Sequence, residues 1–245
     1  MTLKECINRF GSDASRLALA DAGDSLDDAN FDEKVANAAI MKLFVLEGWI
    51  KTNLQEGGLD YSQDNTEAYT FWDHIFVNEI NIALKQAHAD FSEMKFKNII
   101  VLFGHLLNIK ESYLIAKGGE KNPFVIARYV EAILTIMNPI VPHYCQHVWS
   151  TIVLPVLKAS TNAPKQPNDD LIKNGWPVAG DVNPTLSTQL KYLEGNKREI
   201  RLALDKAMTG GKKKGKGGKK GAAAAEPEAP KEKCLIVVGD TFPES

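Results

Sequence analysis

The sequence predicts a mainly α protein, an antiparallel helical bundle. Three observations lead there. Apolar residues recur at three- and four-residue spacing as far as about Ile152, and glycine, proline and asparagine fall where those runs stop. No convincing strand separates the runs, so neighbouring helices joined by short breaks must bury their stripes against one another.

Taken in order, Thr2–Phe10 and Ser12–Ala22 read as short helices, the second stopping at Gly23. A long helix over Phe31–Leu54 follows, with Val35, Ala38, Ala39, Leu43, Leu46, Trp49 and Ile50 on a broad apolar face, until Gly57-Gly58 breaks it. Asp64 and Glu67 have the spacing of an acidic capping box, which predicts a helix from there to about Phe91. Phe96, Ile99, Ile100, Phe103, Leu106 and Leu107 mark the cleanest amphipathic stripe, closed by Gly118-Gly119. Asn122-Pro123 supplies an N-cap and a first-turn proline for a helix through Met137. Pro139 and Pro142 interrupt it, and a short helix resumes at His143–Thr151.

Beyond Pro155 the period fades. Lys158–Pro184 reads as an irregular connection packed by Trp176, followed by a charged helix over Thr185–Met208 with a narrow apolar edge at Leu186, Leu190, Leu193, Ile200 and Leu204. Residues 209–233 are a Lys/Gly/Ala linker with too few apolar groups to offset the entropy of ordering, hence expected to be disordered. Leu235–Val238 has the continuous apolar look of a buried strand. The organisation expected is therefore 1–30, 31–155 for the bundle, 156–208, 209–233 and 234–245.

Composition narrows the function classes. The 245 residues are 44% hydrophobic and 24% charged, ordinary for a globular chain, and no run reads as long enough to cross a bilayer. Cys6, Cys145 and Cys234 are odd in number and far apart, which argues against a disulfide framework and for a reducing compartment. Charge is uneven: residues 1–100 carry nine basic and seventeen acidic side chains, residues 101–245 twenty and fourteen. That asymmetry points the C-terminal half toward a polyanion.

Three motifs require weighing. GGKKKGK from Gly210 has P-loop spacing, but Gly217 stands where a hydroxyl must hold magnesium and a helix precedes it instead of a strand, so a nucleotide site is rejected. What remains is Lys212, Lys213, Lys214, Lys216, Lys219 and Lys220, which suit salt-sensitive phosphate attraction or a solubilising linker equally. His143 and His147 lie one turn apart around Cys145, without the glutamate of a zinc helix, and read as structural. Asp21, Asp24, Asp27 and Asp28 do not match a calcium loop and read as caps and ion pairs. No catalytic triad can be assembled.

Several stretches together resemble leucyl-tRNA synthetase of the eukaryotic cytosolic and archaeal type, a class I synthetase. FGSDASRLALADAGDSLDDANF is similar to the segment after its KMSKS loop, NEINIALKQAHADFSEMKFKNII to its helical domain, and ARYVEAILTIMNPIVPHYCQHVWSTI to the proline–histidine–tryptophan part of its bundle. Asn174-Gly175-Trp176-Pro177 resembles the tryptophan–proline pair that follows, and the lysine-rich linker with CLIVVGDTFP resembles the entry to its C-terminal region. The resemblance spans essentially the whole chain. It implies a connector over Leu3–Phe31 and an anticodon-binding helical domain over Phe31–Thr151, docking on tRNA by shape and phosphate contact.

It further implies a fragment lacking the HIGH and KMSKS motifs and the editing domain. Such a chain is expected to be inactive alone, while the intact enzyme uses ATP and Mg to join leucine to tRNA(Leu) in the cytoplasm. The partners implied are tRNA(Leu), other synthetases or the enzyme's remaining domains, with no membrane and no DNA. No catalytic residue carries over. Arg9 and Arg16 join the six lysines as tRNA-contact candidates, with an ion pair to Asp13 or Asp21 as the competing role. Two other readings remain: a helical protein–protein interaction module, and a gene fragment without separate function.

Overall fold

A computed structural model of the chain describes residues 2–23, 30–55, 69–159 and 167–208. The linker, the strand expected at Leu235–Val238 and the Asp64/Glu67 box lie outside the described residues. Within them the bundle is helical throughout.

α1 (Leu3–Phe10) starts on a capping box: the Thr2 amide donates to Glu5 at 2.8 Å and the Glu5 amide to the Thr2 hydroxyl at 3.3 Å. Gly11, at φ 80°, turns the chain straight into α2 (Ser12–Ala22), a conformation a side-chain-bearing residue rarely adopts. α3 (Glu33–Gln55) buries Ala36, Ala39, Leu43, Leu46 and Ile50. α2 packs on both α3 and α5.

α4 (Phe71–Ser92) and α5 (Phe96–Ala116) form the main hairpin, and α6 (Pro123–Met137) lies against both. At their junction the Phe76 ring stacks on Tyr113 and Tyr129 with centroids 4.6 and 5.2 Å away, and Trp49 of α3 meets Tyr129 edge-on at 5.4 Å. The buried Tyr129 hydroxyl donates to the Leu106 carbonyl at 3.1 Å, so this aromatic centre leaves that polar atom partnered.

The start of α4 corrects the sequence reading. Its cap is Thr70, whose hydroxyl accepts from the Asp73 amide while Asp73 accepts from the Thr70 amide at 2.8 Å. Thr70 and Asp73 have the same three-residue spacing as Asp64 and Glu67, and they sit next to the first buried residues. Asp73 also accepts from the Tyr113 hydroxyl and, at 3.0 Å, from the Lys117 ammonium, while Tyr113 accepts from the Asn122 amide at 3.2 Å. One carboxylate thereby ties the start of α4 to the end of α5 and the cap of α6. Burial alone would raise its pKa, but the hydrogen bonds from Thr70, Tyr113 and Lys117 outweigh it and hold the group below the ordinary carboxylate range.

Length and composition also correct an expectation. α5 is long and apolar enough to cross a membrane by those criteria, with a mean hydropathy of 1.4. Its buried Ile99, Ile100, Phe103 and Leu106 pack as the core helix of the bundle.

A third correction follows Pro142. α7 (Pro142–Val148) runs into a π-turn (Trp149–Val153) and then α8 (Leu154–Ala159), so the helix passes through Pro155 rather than ending before it. The connection after it holds a 3-10 turn (Leu171–Asn174). Trp149 Nε1 donates to the Asn168 carbonyl at 2.9 Å, and Trp176 lies edge-on to His88 and Phe91. Arg128 of α6 donates to Asn81 Oδ1 and to the Val178 carbonyl, both at 2.8 Å, and clamps the connection onto α4. Finally α9 (Pro184–Met208) begins. The chain divides into two compact units between Ser187 and Thr188.

Candidate nucleic-acid interface

Arg9 and Arg16, the two described contact candidates, are both engaged within the bundle. Arg9 pairs with Glu33 at 2.9 Å and lies over the Phe10 ring, 5.1 Å from its centroid. Arg16 pairs with neither Asp13 nor Asp21. Its guanidinium donates to the Ile140 and Pro139 carbonyls, each at 2.7 Å, fastening α2 to the turn after α6. A proline has no amide hydrogen to offer, and a broken helix leaves carbonyls without partners; a planar fork of donors satisfies two at once. Sequence patterning carries no signal for such a long-range carbonyl clamp.

The two histidines make separate contacts. His143 Nδ1 lies 2.8 Å from Asp13 and 3.3 Å from the Ser12 hydroxyl, while His147 Nε2 faces Glu47 at 3.7 Å. Each ring therefore serves a different carboxylate. His143 is exposed, with 77% of its side chain in solvent. Between them Cys145 is fully buried, and burial pushes its thiol well above the usual range, so it stays protonated. Among the described residues no three histidine, cysteine, aspartate or glutamate side chains converge as a metal site. Asp24, Asp27, Asp28 and the six lysines lie outside the described residues.

A basic surface that reads in sequence as merely charged lies on α9. From Thr188 to Met208 the helix carries Lys191, Lys197, Arg198, Arg201 and Lys206 against three acidic residues, Glu194, Glu199 and Asp205. All five basic side chains are exposed. Lys197 and Arg201, one turn apart, share a face that Arg198 adjoins. Continuing in sequence to Lys220 raises the total to eleven basic and three acidic residues. The signal available in the sequence is this run of charge, which a helix boundary splits into two features that look unrelated.

Comparison with known proteins then decides the family. The model for the anticodon-binding domain of tRNA ligase matches residues 73–223. The chain belongs to that family. The matched span begins at Asp73, the carboxylate at the head of α4, and ends beyond the lysine run. Among curated relatives, a putative cytoplasmic leucine–tRNA ligase of Schizosaccharomyces pombe is 34% identical over 100% of this chain and 20% of its own length. The cytoplasmic leucine–tRNA ligases of Pongo abelii and Saccharomyces cerevisiae are each 30% identical, over 99% and 100% of this chain and 19% and 20% of theirs. The chain of this anticodon-binding family member thus spans about a fifth of the length of these relatives.

Proposed function

We propose that this chain is the tRNA-docking portion of a cytoplasmic leucine–tRNA ligase, and that its contribution is to hold the body of tRNA(Leu) while leucine is activated with ATP and Mg and transferred elsewhere in the whole protein. One observation carries the reading: the family match runs through α9 into the lysine run, so the most basic stretch of the chain lies inside the anticodon-binding span. Exposed Lys191, Lys197, Arg198, Arg201 and Lys206 offer cations on one helical rod, and Lys212, Lys213, Lys214, Lys216, Lys219 and Lys220 follow in sequence. Such groups neutralise phosphates and release counterions, which gives affinity without reading base identity.

Arg9 and Arg16 play a supporting part in this reading, since Arg9 pairs with Glu33 at the surface and Arg16 is tied to the Ile140 and Pro139 carbonyls. Filter binding of tRNA(Leu) across a salt series tests it. The affinity should fall steeply with salt, and replacing the five α9 cations with alanine should reduce the slope by roughly 0.9 for each phosphate no longer neutralised. A slope unchanged by those replacements and by replacement of the six lysines would refute the assignment. The same chain should show no leucine-dependent pyrophosphate exchange.

A further inference from the structure

α3 has two apolar sides. One is buried in the bundle; the other presents Ile40, Met41, Phe44 and Val45 to solvent, with Phe44 70% exposed. An amphipathic helix of a bundle normally turns charge outward, so four neighbouring apolar side chains on the outer face mark an unpartnered surface. Gly48 lies one turn beyond Phe44 on that face, and a methyl group placed on it would meet nothing within 4 Å. Another backbone can therefore approach α3 closely there. Beside the ridge lies a cleft of about 360 Å³ between the α1–α2 corner, α3 and the start of α7, floored by Phe10, Leu43 and Tyr144.

The charges of the cleft select the occupant. Its acidic lining is Asp13 and Glu47, with His143 and Tyr144 beside them. Asp13 is already satisfied, accepting from the Tyr144 amide at 2.6 Å and bonding His143, whereas the His147 ring stands 3.7 Å from Glu47, beyond hydrogen-bonding distance. Lys34 and Lys51 stand toward the two ends of the ridge, so a partner fits by crossing α3 between them. Carboxylates beside the apolar ridge disfavour an RNA backbone and favour a basic group set next to apolar anchors. We propose that this face seats a helix from a protein partner, with apolar residues at i, i+3 or i+4 spacing and a lysine or arginine directed at Glu47. This inference is independent of the tRNA reading, which concerns α9.

The test uses two synthetic amphipathic peptides, one repeating LKKLLKL and one repeating LEELLEL, titrated into the isotopically labelled full chain. The lysine peptide should shift amide resonances over Ile40–Gly48 and Ser12–Asp13, and the glutamate peptide should not. Phe44→Glu should weaken the lysine peptide about tenfold or more, as loss of an aromatic anchor does. Glu47→Lys should weaken the lysine peptide and strengthen the glutamate one. Phe44 is exposed and Glu47 half-buried, and unchanged circular dichroism of each variant confirms that the fold is retained. Equal binding of both peptides, or shifts confined to other surfaces, would overturn the proposal. So would movement of these resonances by tRNA alone, or by raising the concentration of the chain without peptide.

Discussion

α6 and α9 are both expected as helices from the sequence, and they differ in almost everything that stabilises a helix. In α6 ten of fifteen residues are buried, among them Val125, Ile126, Tyr129, Ile133 and Ile136, so it is held from all sides by α3, α4 and α5. α9 has twenty-five residues, yet from Lys191 to Lys206 every side chain is exposed except that of Asn196, which is half-buried. Helical propensity alone is marginal at that length, so α9 depends on local terms that α6 does not need. Packing therefore makes α6 intolerant of changes in size, while α9 is free to carry charge.

The sharpest way to break this contrast is to remove bulk from each helix. Ile133→Ala should cost about 3 kcal/mol by leaving a cavity, read as a lower midpoint of denaturant unfolding; Ile200→Ala in α9 should change that midpoint by less than about 0.5 kcal/mol. Equal effects would abolish the distinction. Next in size, Asp73→Asn should cost about 2–3 kcal/mol, because Tyr113 and Lys117 lose their shared acceptor charge beside α6. Its pH dependence has a definite sign. The folded pKa lies below the unfolded value, so the carboxylate stabilises fully above about pH 4 and the contribution is lost as pH falls through the folded value. Asp73→Asn should accordingly flatten the acid limb of the stability profile.

A smaller effect is expected from Arg128→Ala, about 1–2 kcal/mol, with hydrogen exchange accelerated at Gly180, whose amide donates to the same Asn81 that Arg128 holds. The smallest has the opposite sign. Gly195→Ala should raise helix content of α9 by removing a flexible residue, worth up to about 1 kcal/mol locally, while the cooperative unfolding midpoint stays put. A shift of the global midpoint would mean that α9 is coupled to the core.

The helices are legible in the sequence because their periodicity and stops are local. Asn122-Pro123 works as read, with the Asn122 side chain accepting from the Phe124 and Val125 amides. Where two capping signals compete, as at Asp64/Glu67 and Thr70/Asp73, spacing alone cannot choose; the buried Tyr113 and the half-buried Lys117, some forty residues away, mark the second. Arg16 stands out by its charge, yet its carbonyl partners depend on how α2 meets residues 139 and 140. Arg128 carries no signal of its own, because a clamp on Asn81 and Val178 exists only after folding. On α3 the sequence reading places the apolar face on the side where Ala39, Leu43, Leu46 and Ile50 are buried, but nothing local marks Ile40, Met41, Phe44 and Val45 as staying in solvent.

The π-turn at Trp149–Val153 has a consequence for chain length. At Leu154 the amide reaches back five residues to the Trp149 carbonyl, so one residue more than an α-helical turn is accommodated. The surplus residue advances the phase of everything after it by about 100°, and Leu154 and Leu157 of α8 are buried alongside Trp149, Ile152 and Val153 of the turn. Excising a single residue from this turn would rewind α8 and expose Leu157, whereas excising one from a solvent-facing loop would leave the interior untouched.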